Sequence, residues 1–145
     1  MISIPRREFG PDVDGRINAL FHGDEEDQAD ARRALLELGS SAVDRLIAVL
    51  LGQLRITEDP LLTPQGNAVR RCHEETVAAG LLGEIGDRRA VPALIEVLNH
   101  NYSQYDLVFV VGPDALEALQ RITGKDLGMN QKAWREWWSA TSGTA

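Results

Sequence analysis

Residues 76–98 read TVAAGLLGEIGDRRAVPALIEVL. Two short amphipathic runs flank a turn at Gly86-Asp87. Val91, Leu94, Ile95 and Leu98 recur at i, i+3, i+4 and i+7, which sets four apolar side chains on one helical face. Pro92 is tolerable because it falls in the first turn, where its missing N–H is not needed. Weaker copies lie on both sides. Residues 31–50 (ARRALLELGSSAVDRLIAVL) repeat the small-residue helix, the glycine turn and the Ala-Val start of a second helix. Residues 115–124 (ALEALQRITG) repeat the first helix again. Such an internal repeat implies stacked helix pairs, because one pair cannot bury its apolar stripe alone. The expected fold class is all-α, an α–α superhelix.

Outward from this centre, the pattern predicts helices over 11–21, 25–38, 42–54, 67–85, 89–99, 113–122 and 130–140. Asp24, Glu25, Glu26 and Asp27 complement the positive end of the second helix. Gly39 closes it, and Ser40 or Ser41 can cap the next. Two insertions interrupt the repeat. Residues 55–66 (RITEDPLLTPQG) hold two prolines and a glycine and read as a loop, with Leu61-Leu62 tucked onto the array. Residues 100–112 carry the one β-like run, Leu107 to Val111, open between a strand and irregular chain. Residues 1–10 read as an extended lead-in, 11–140 as the repeat domain and 141–145 as a frayed tail. The core expected from the stripes is Leu46, Leu50, Leu82, Ile85, Leu94, Leu98, Leu119 and Trp134.

The 145 residues suffice for one domain with a real core, and 43% hydrophobic with 26% charged residues is a globular balance. The net charge of −7 opposes nucleic-acid phosphates and anionic lipid, and fits a basic protein partner or plain solubility. A single cysteine, Cys72, allows no intrachain disulfide and suits a reducing cytoplasm. The start MISIPRREFG lacks a secretory apolar stretch, and no run approaches the roughly 18 residues of a membrane helix.

The run Leu82-Gly83-Glu84-Ile85-Gly86-Asp87, then Arg89-Ala90-Val91-Pro92-Ala93-Leu94-Ile95, resembles HEAT-like repeats of the bilin-lyase type. The resemblance extends over about 15–138: a half repeat lacking its first helix, then three pairs. Ile122-Thr123-Gly124-Lys125-Asp126-Leu127-Gly128, followed by Ala133-Trp134 and Trp137-Trp138, looks like the closing repeat of such proteins. It implies a short right-handed, armadillo-type solenoid of about three and a half pairs that binds other proteins.

Candidate chemistry is sparse. His73-Glu74 is the pair type that deoxyhypusine hydroxylase, a HEAT-repeat enzyme, uses in its diiron site. That family needs four pairs and this chain has one, almost a helical turn too early relative to Gly86. A polar pair near the solvent end of a helix is the simpler reading, under which replacing both residues by Gln leaves the fold nearly unchanged. His22, His73 and His100 lie on separate elements without zinc spacing. Cys72 shares a stripe with Val69 and Thr76 and reads as a buried, inert thiol; Arg70 and Arg71 keep a reactive one open. Trp134, Trp137 and Trp138 share one helical face, which means packing rather than the base stacking of HEAT-like DNA glycosylases. No catalytic residue, metal ligand or cofactor is assigned.

The function expected is a non-catalytic interaction or scaffold module, cytoplasmic and of bacterial type, with a protein partner and an open oligomeric state. The alternatives are a bilin-lyase-like enzyme or subunit, a metal-dependent hydroxylase-like protein, and an immunity-type inhibitor of a basic toxin, suggested by small size and acidity. In such arrays the second helix of each pair lines the concave face. With core stripes inward, Arg45, Ala48 and Val49 point outward on the first, Ala93, Glu96, Val97 and His100 on the second, and Lys132 and Arg135 on the last. Tyr102, Tyr105 and Phe109 in the second insertion stand at the edge as aromatic anchors.

Overall fold

The computed structural model describes residues 10, 12–57, 59–104 and 107–141, apart from the side chains of 65, 102–104, 107 and 109. Residues 1–9 of the expected lead-in and 142–145 of the expected tail lie outside that set. Among the described residues the order is α1 (Val13–His22), α2 (Glu25–Leu38), α3 (Ser40–Leu50), α4 (Pro64–Ile85), a 3-10 turn (Arg88–Ala90), α5 (Val91–Glu96), β1 (Asn101–Gln104), β2 (Leu107–Val110), α6 (Gly112–Thr123) and α7 (Gln131–Thr141). The fold is all-α, with one antiparallel hairpin set into it. Its register places Asn101 opposite Val110 and Gln104 opposite Leu107, so the β-like run is a strand.

The helices form two layers. The first helices of the pairs, α2, α4 and α6, pack side by side; α3 packs on α4 and α5 on α6, with α7 against α5. The half repeat α1 lies on α2 and α3. β1 lies along α4, with β2 farther out. The core follows the expected stripes: Leu46, Leu50, Leu82, Leu94, Leu98, Leu119 and Trp134 are all buried. The Trp134 indole donates to the Gly128 carbonyl at 2.7 Å, which satisfies its one polar atom. Ile85 is only half-buried, because it is the last residue of α4 and sits at the rim beside Gly86.

Local chemistry sets the ends. The Asp24 carboxylate accepts from the Asp27 N–H at 2.8 Å while Asp27 accepts from Asp24 at 3.1 Å, a reciprocal box that starts α2. Thr63 accepts from the Gly66 N–H at 3.0 Å, and Pro64 fits the first turn, so α4 starts three residues earlier than its pattern suggests. The expected serine cap of α3 is absent. Gly39 both ends α2 and begins α3, leaving Ser40 and Ser41 inside the first turn. α3 stops at Leu50 rather than Leu54. Gly52 has φ +75°, and the N–H groups of Gly52 and Gln53 donate to Val49 and Ala48, the two bonds of a Schellman motif. α5 ends at Glu96 because the Leu98 and His100 N–H groups reach back three residues, which tightens the chain into turns.

The loop between α3 and α4 corrects another expectation. Leu61 is 92% exposed and Leu62 is also exposed, so neither is tucked in. Polar groups hold this loop instead. Asp59 and Asn67 exchange two bonds of 2.9 Å, and Arg70 donates to the Thr57 carbonyl at 2.8 Å.

Ion pairs link successive units. Arg45 on α3 makes a two-pronged contact with Asp14 on α1 at 2.7 and 3.1 Å. Arg89 binds Asp87, Asp44 and the Ser40 carbonyl. Arg135 on α7 meets Glu96 on α5 at 3.0 Å.

Candidate functional site

α4 presents an unusual stripe, partly exposed and partly covered. Val69, Cys72, His73, Thr76, Val77, Gly80, Gly83 and Glu84 recur at three- and four-residue steps, so they share one face. A solvated helix face is ordinarily charged, whereas this one is mostly small or apolar. Three depressions use it. One of about 480 Å³ lies between Val69, Cys72, His73 and Thr76 and the β2 residues Val108 and Val110. The next is bounded by His73 and Val77, by Leu20 of α1, and by Glu25, Gln28, Ala29 and Arg32 of α2. The third, about 250 Å³, lies over Gly80 and Gly83, between Arg32 and the α6 residues Asp114, Glu117, Ala118 and Arg121. His73 borders the first two and Arg32 the last two, so the three follow one another along α4 as a segmented groove, and the Arg32–Glu84 pair at 2.6 Å crosses from α2 to α4 near its far end.

The two glycines on its floor differ. A Cβ at Gly83 would lie 2.8 Å from the Ala118 Cα, so this glycine lets α6 approach α4 closely. A Cβ at Gly80 would meet nothing within 4 Å. Gly80 therefore has no packing reason to be glycine, although an interior helical glycine costs about 1 kcal/mol relative to alanine.

The walls are charged. Glu25 and Arg32 of α2 line one side, and Asp114, Glu117 and Arg121 of α6 line the other. Arg32 is neutralised by Glu84 at 2.6 Å, and Arg121 by Glu117 at 3.0 Å. Glu25 and Asp114, on opposite walls, have no ion-pair partner among the described residues. Asp114 is exposed but partly desolvated, and that desolvation, then the nearby Glu117, holds its carboxyl above the ordinary range.

The candidate chemistry resolves residue by residue. Cys72 is buried, and its thiol is pushed up by that burial first, then by Glu75 and Asp114. The charges that act on it are acidic and Arg70 is turned to Thr57, so the surroundings disfavour the thiolate. His73-Glu74 is not a pair at a solvent end. Glu74 is only 3% exposed and accepts from the Ile56 N–H at 2.6 Å, the Thr57 N–H at 3.3 Å and the Thr57 hydroxyl at 3.1 Å. It turns into the loop while the exposed His73 packs edge-on against Phe21. The reason is angular: adjacent helical residues point about 100° apart. His22 meets the Ile56 carbonyl at 2.8 Å, and His100 Nδ1 lies 3.6 Å from the buried Glu75. Among the described residues no three His, Cys, Asp or Glu side chains group as metal ligands.

The face expected to meet a partner needs correction. Val49, Ala93 and Val97, expected outward, are buried. α5 touches α3, α6 and α7, so a helix in the middle of the stack buries nearly its whole circumference; a single-stripe reading assumes one buried face. Arg45, Glu96 and Arg135 are exposed but engaged in the ion pairs above, Ala48 is half-buried, and Lys132 pairs with Glu136 on its own helix at 3.9 Å. The side chains of Tyr102, Tyr105 and Phe109 lie outside the described set. The groove on the opposite layer was missed. Its sequence signal is the run VAAGLLG at 77–83, apolar all round, with a glycine in mid-helix.

The family model of the PBS lyase HEAT-like repeat matches residues 77–100. That segment runs from the second half of α4 through α5, so this helix pair is similar to a HEAT-like repeat, which is consistent with a repeat-type module. No curated protein and no solved structure matches the chain significantly. No helix among the described residues is long and apolar enough to cross a membrane.

Proposed function

We propose that this chain is a non-catalytic protein-binding module. The observation that carries the reading is the segmented groove over α4, with small and apolar floor residues between charged walls. That composition suits an apolar centre with a polar rim, the anatomy of a protein interface. The HEAT-like match supports it through the general behaviour of stacked helix pairs, which form extended binding surfaces.

The test is affinity capture with the purified chain as bait, coupled to mass spectrometry and to metal and absorption analysis of the bait. A protein recovered in stoichiometric amount supports the module. Stoichiometric iron or a visible-absorbing chromophore on the bait would replace it with an enzymatic reading.

A further inference from the structure

Resting on the protein-binding reading, we infer that the groove over α4 receives a basic amphipathic helix, its apolar stripe on Val69, Thr76, Val77 and Gly80 and its lysines or arginines toward Glu25 and Asp114. Three observations converge. From Val69 to Gly80 the floor covers about 16 Å of helix axis at 1.5 Å per residue, the length of three turns of a ligand helix. Gly80 opens the floor toward its far end, where a Cβ would meet nothing within 4 Å, and it does so at a cost to α4 that no internal contact repays. A backbone that gives up its own side chain lets another helix approach closely. The walls supply the charge. Arg32 and Arg121 are already neutralised, whereas Glu25 and Asp114 face the groove without cations among the described residues. An acidic guest would meet two unpaired carboxylates, and a basic one completes them. Helix-in-groove recognition is read through anchors at i, i+3, i+4 and i+7, the step of the α4 stripe itself.

The probe is a fluorescent amidated peptide of about 18 residues, leucines on one helical stripe and lysines on its shoulders. One control has the same composition with the leucines scattered; another has glutamate for lysine. Fluorescence anisotropy should show the striped lysine peptide binding at least about tenfold more tightly than either control. Gly80→Leu should fill the groove, raise the melting temperature of the chain and weaken the striped peptide about tenfold or more. A glycine that is merely tolerated would give the higher melting temperature with unchanged binding. Glu25→Lys with Asp114→Lys, both exposed, should shift preference toward the glutamate peptide even if Gly80→Leu folds poorly. Equal binding of the striped and scattered peptides, no binding of the striped one, or indifference to the wall substitutions overturns the inference. So does a dimer in sedimentation that Gly80→Leu dissociates, since the occupant would then be a second copy. If Gly80→Leu leaves a captured partner in place, the module reading stands and the groove assignment falls.

Discussion

The two halves of α4 solve different problems. In the second half, Ala78, Ala79, Leu81 and Leu82 are buried, and the helix docks on α3 and α6 as one member of a repeat. In the first half the buried side chains are Cys72, Glu74 and Glu75. There the helix serves the insertions: Glu74 binds the loop before it, and Glu75 meets His100 at the foot of the hairpin. Apolar stripes stack helices because helices satisfy their own backbone. An irregular loop laid on a helix brings free N–H groups, which need acceptors once water is excluded. Buried carboxylates therefore mark where the repeat gives way to inserted chain.

The comparison breaks most visibly at Leu94. Leu94→Ala deletes a packed core side chain of the repeat and should cost about 2–5 kcal/mol in a urea melt. A loss below about 1 kcal/mol would mean that the repeat is not held by its stripe. Glu74→Gln should cost about 1.5–3 kcal/mol, the range for hydrogen bonds to a charged group. Hydrogen exchange sharpens the contrast: protection should fall in residues 55–62 and persist in α5 and α6. This replaces the sequence-based expectation that changing His73 and Glu74 together is nearly silent, and an unchanged melt would restore it.

A smaller effect is expected at Asp87. Its carboxylate accepts from the Arg89 N–H at 2.9 Å and the Arg89 guanidinium at 3.1 Å, and these bonds hold its pKa below the ordinary range. Asp87→Ala should cost about 1 kcal/mol near neutrality, as loss of a cap usually does. A depressed carboxyl pKa stabilises the fold above the unfolded value of about 3.9 and ceases to do so as pH falls through the folded value. The gap between wild type and variant should therefore narrow below about pH 4. A gap constant through acid would assign the loss to the helix start alone. The smallest effect belongs to the loop: Leu61→Ser should stay within about 0.5 kcal/mol, and a loss above 1 kcal/mol would return Leu61 to the core.

Much of the array was readable in advance because its signals are local. Periodicity at 91–98, the glycine turns and the acidic start of α2 each act within a few residues, so helix order and most of the core came out correctly. The errors fall where a distant partner decides. Gly52 ends α3 early by a local motif and was readable in principle. Leu61 and Leu62 were placed inward by hydrophobicity, yet polar anchors on α4 had already fixed the loop. Val49, Ala93 and Val97 were placed outward by a single-stripe rule that fails for a helix with neighbours all round.

By itself, the sequence determined the class of the fold, the repeat, the helix order and the acidic balance, since spacing and charge travel with the chain. Only the tertiary structure decided which layer carries a groove, that Glu74 is a buried anchor, and that Gly83 is filled by Ala118 while Gly80 is left open. Those properties depend on what lies opposite each residue. The two glycines sit three residues apart on one helix face, and only the position of α6 tells them apart.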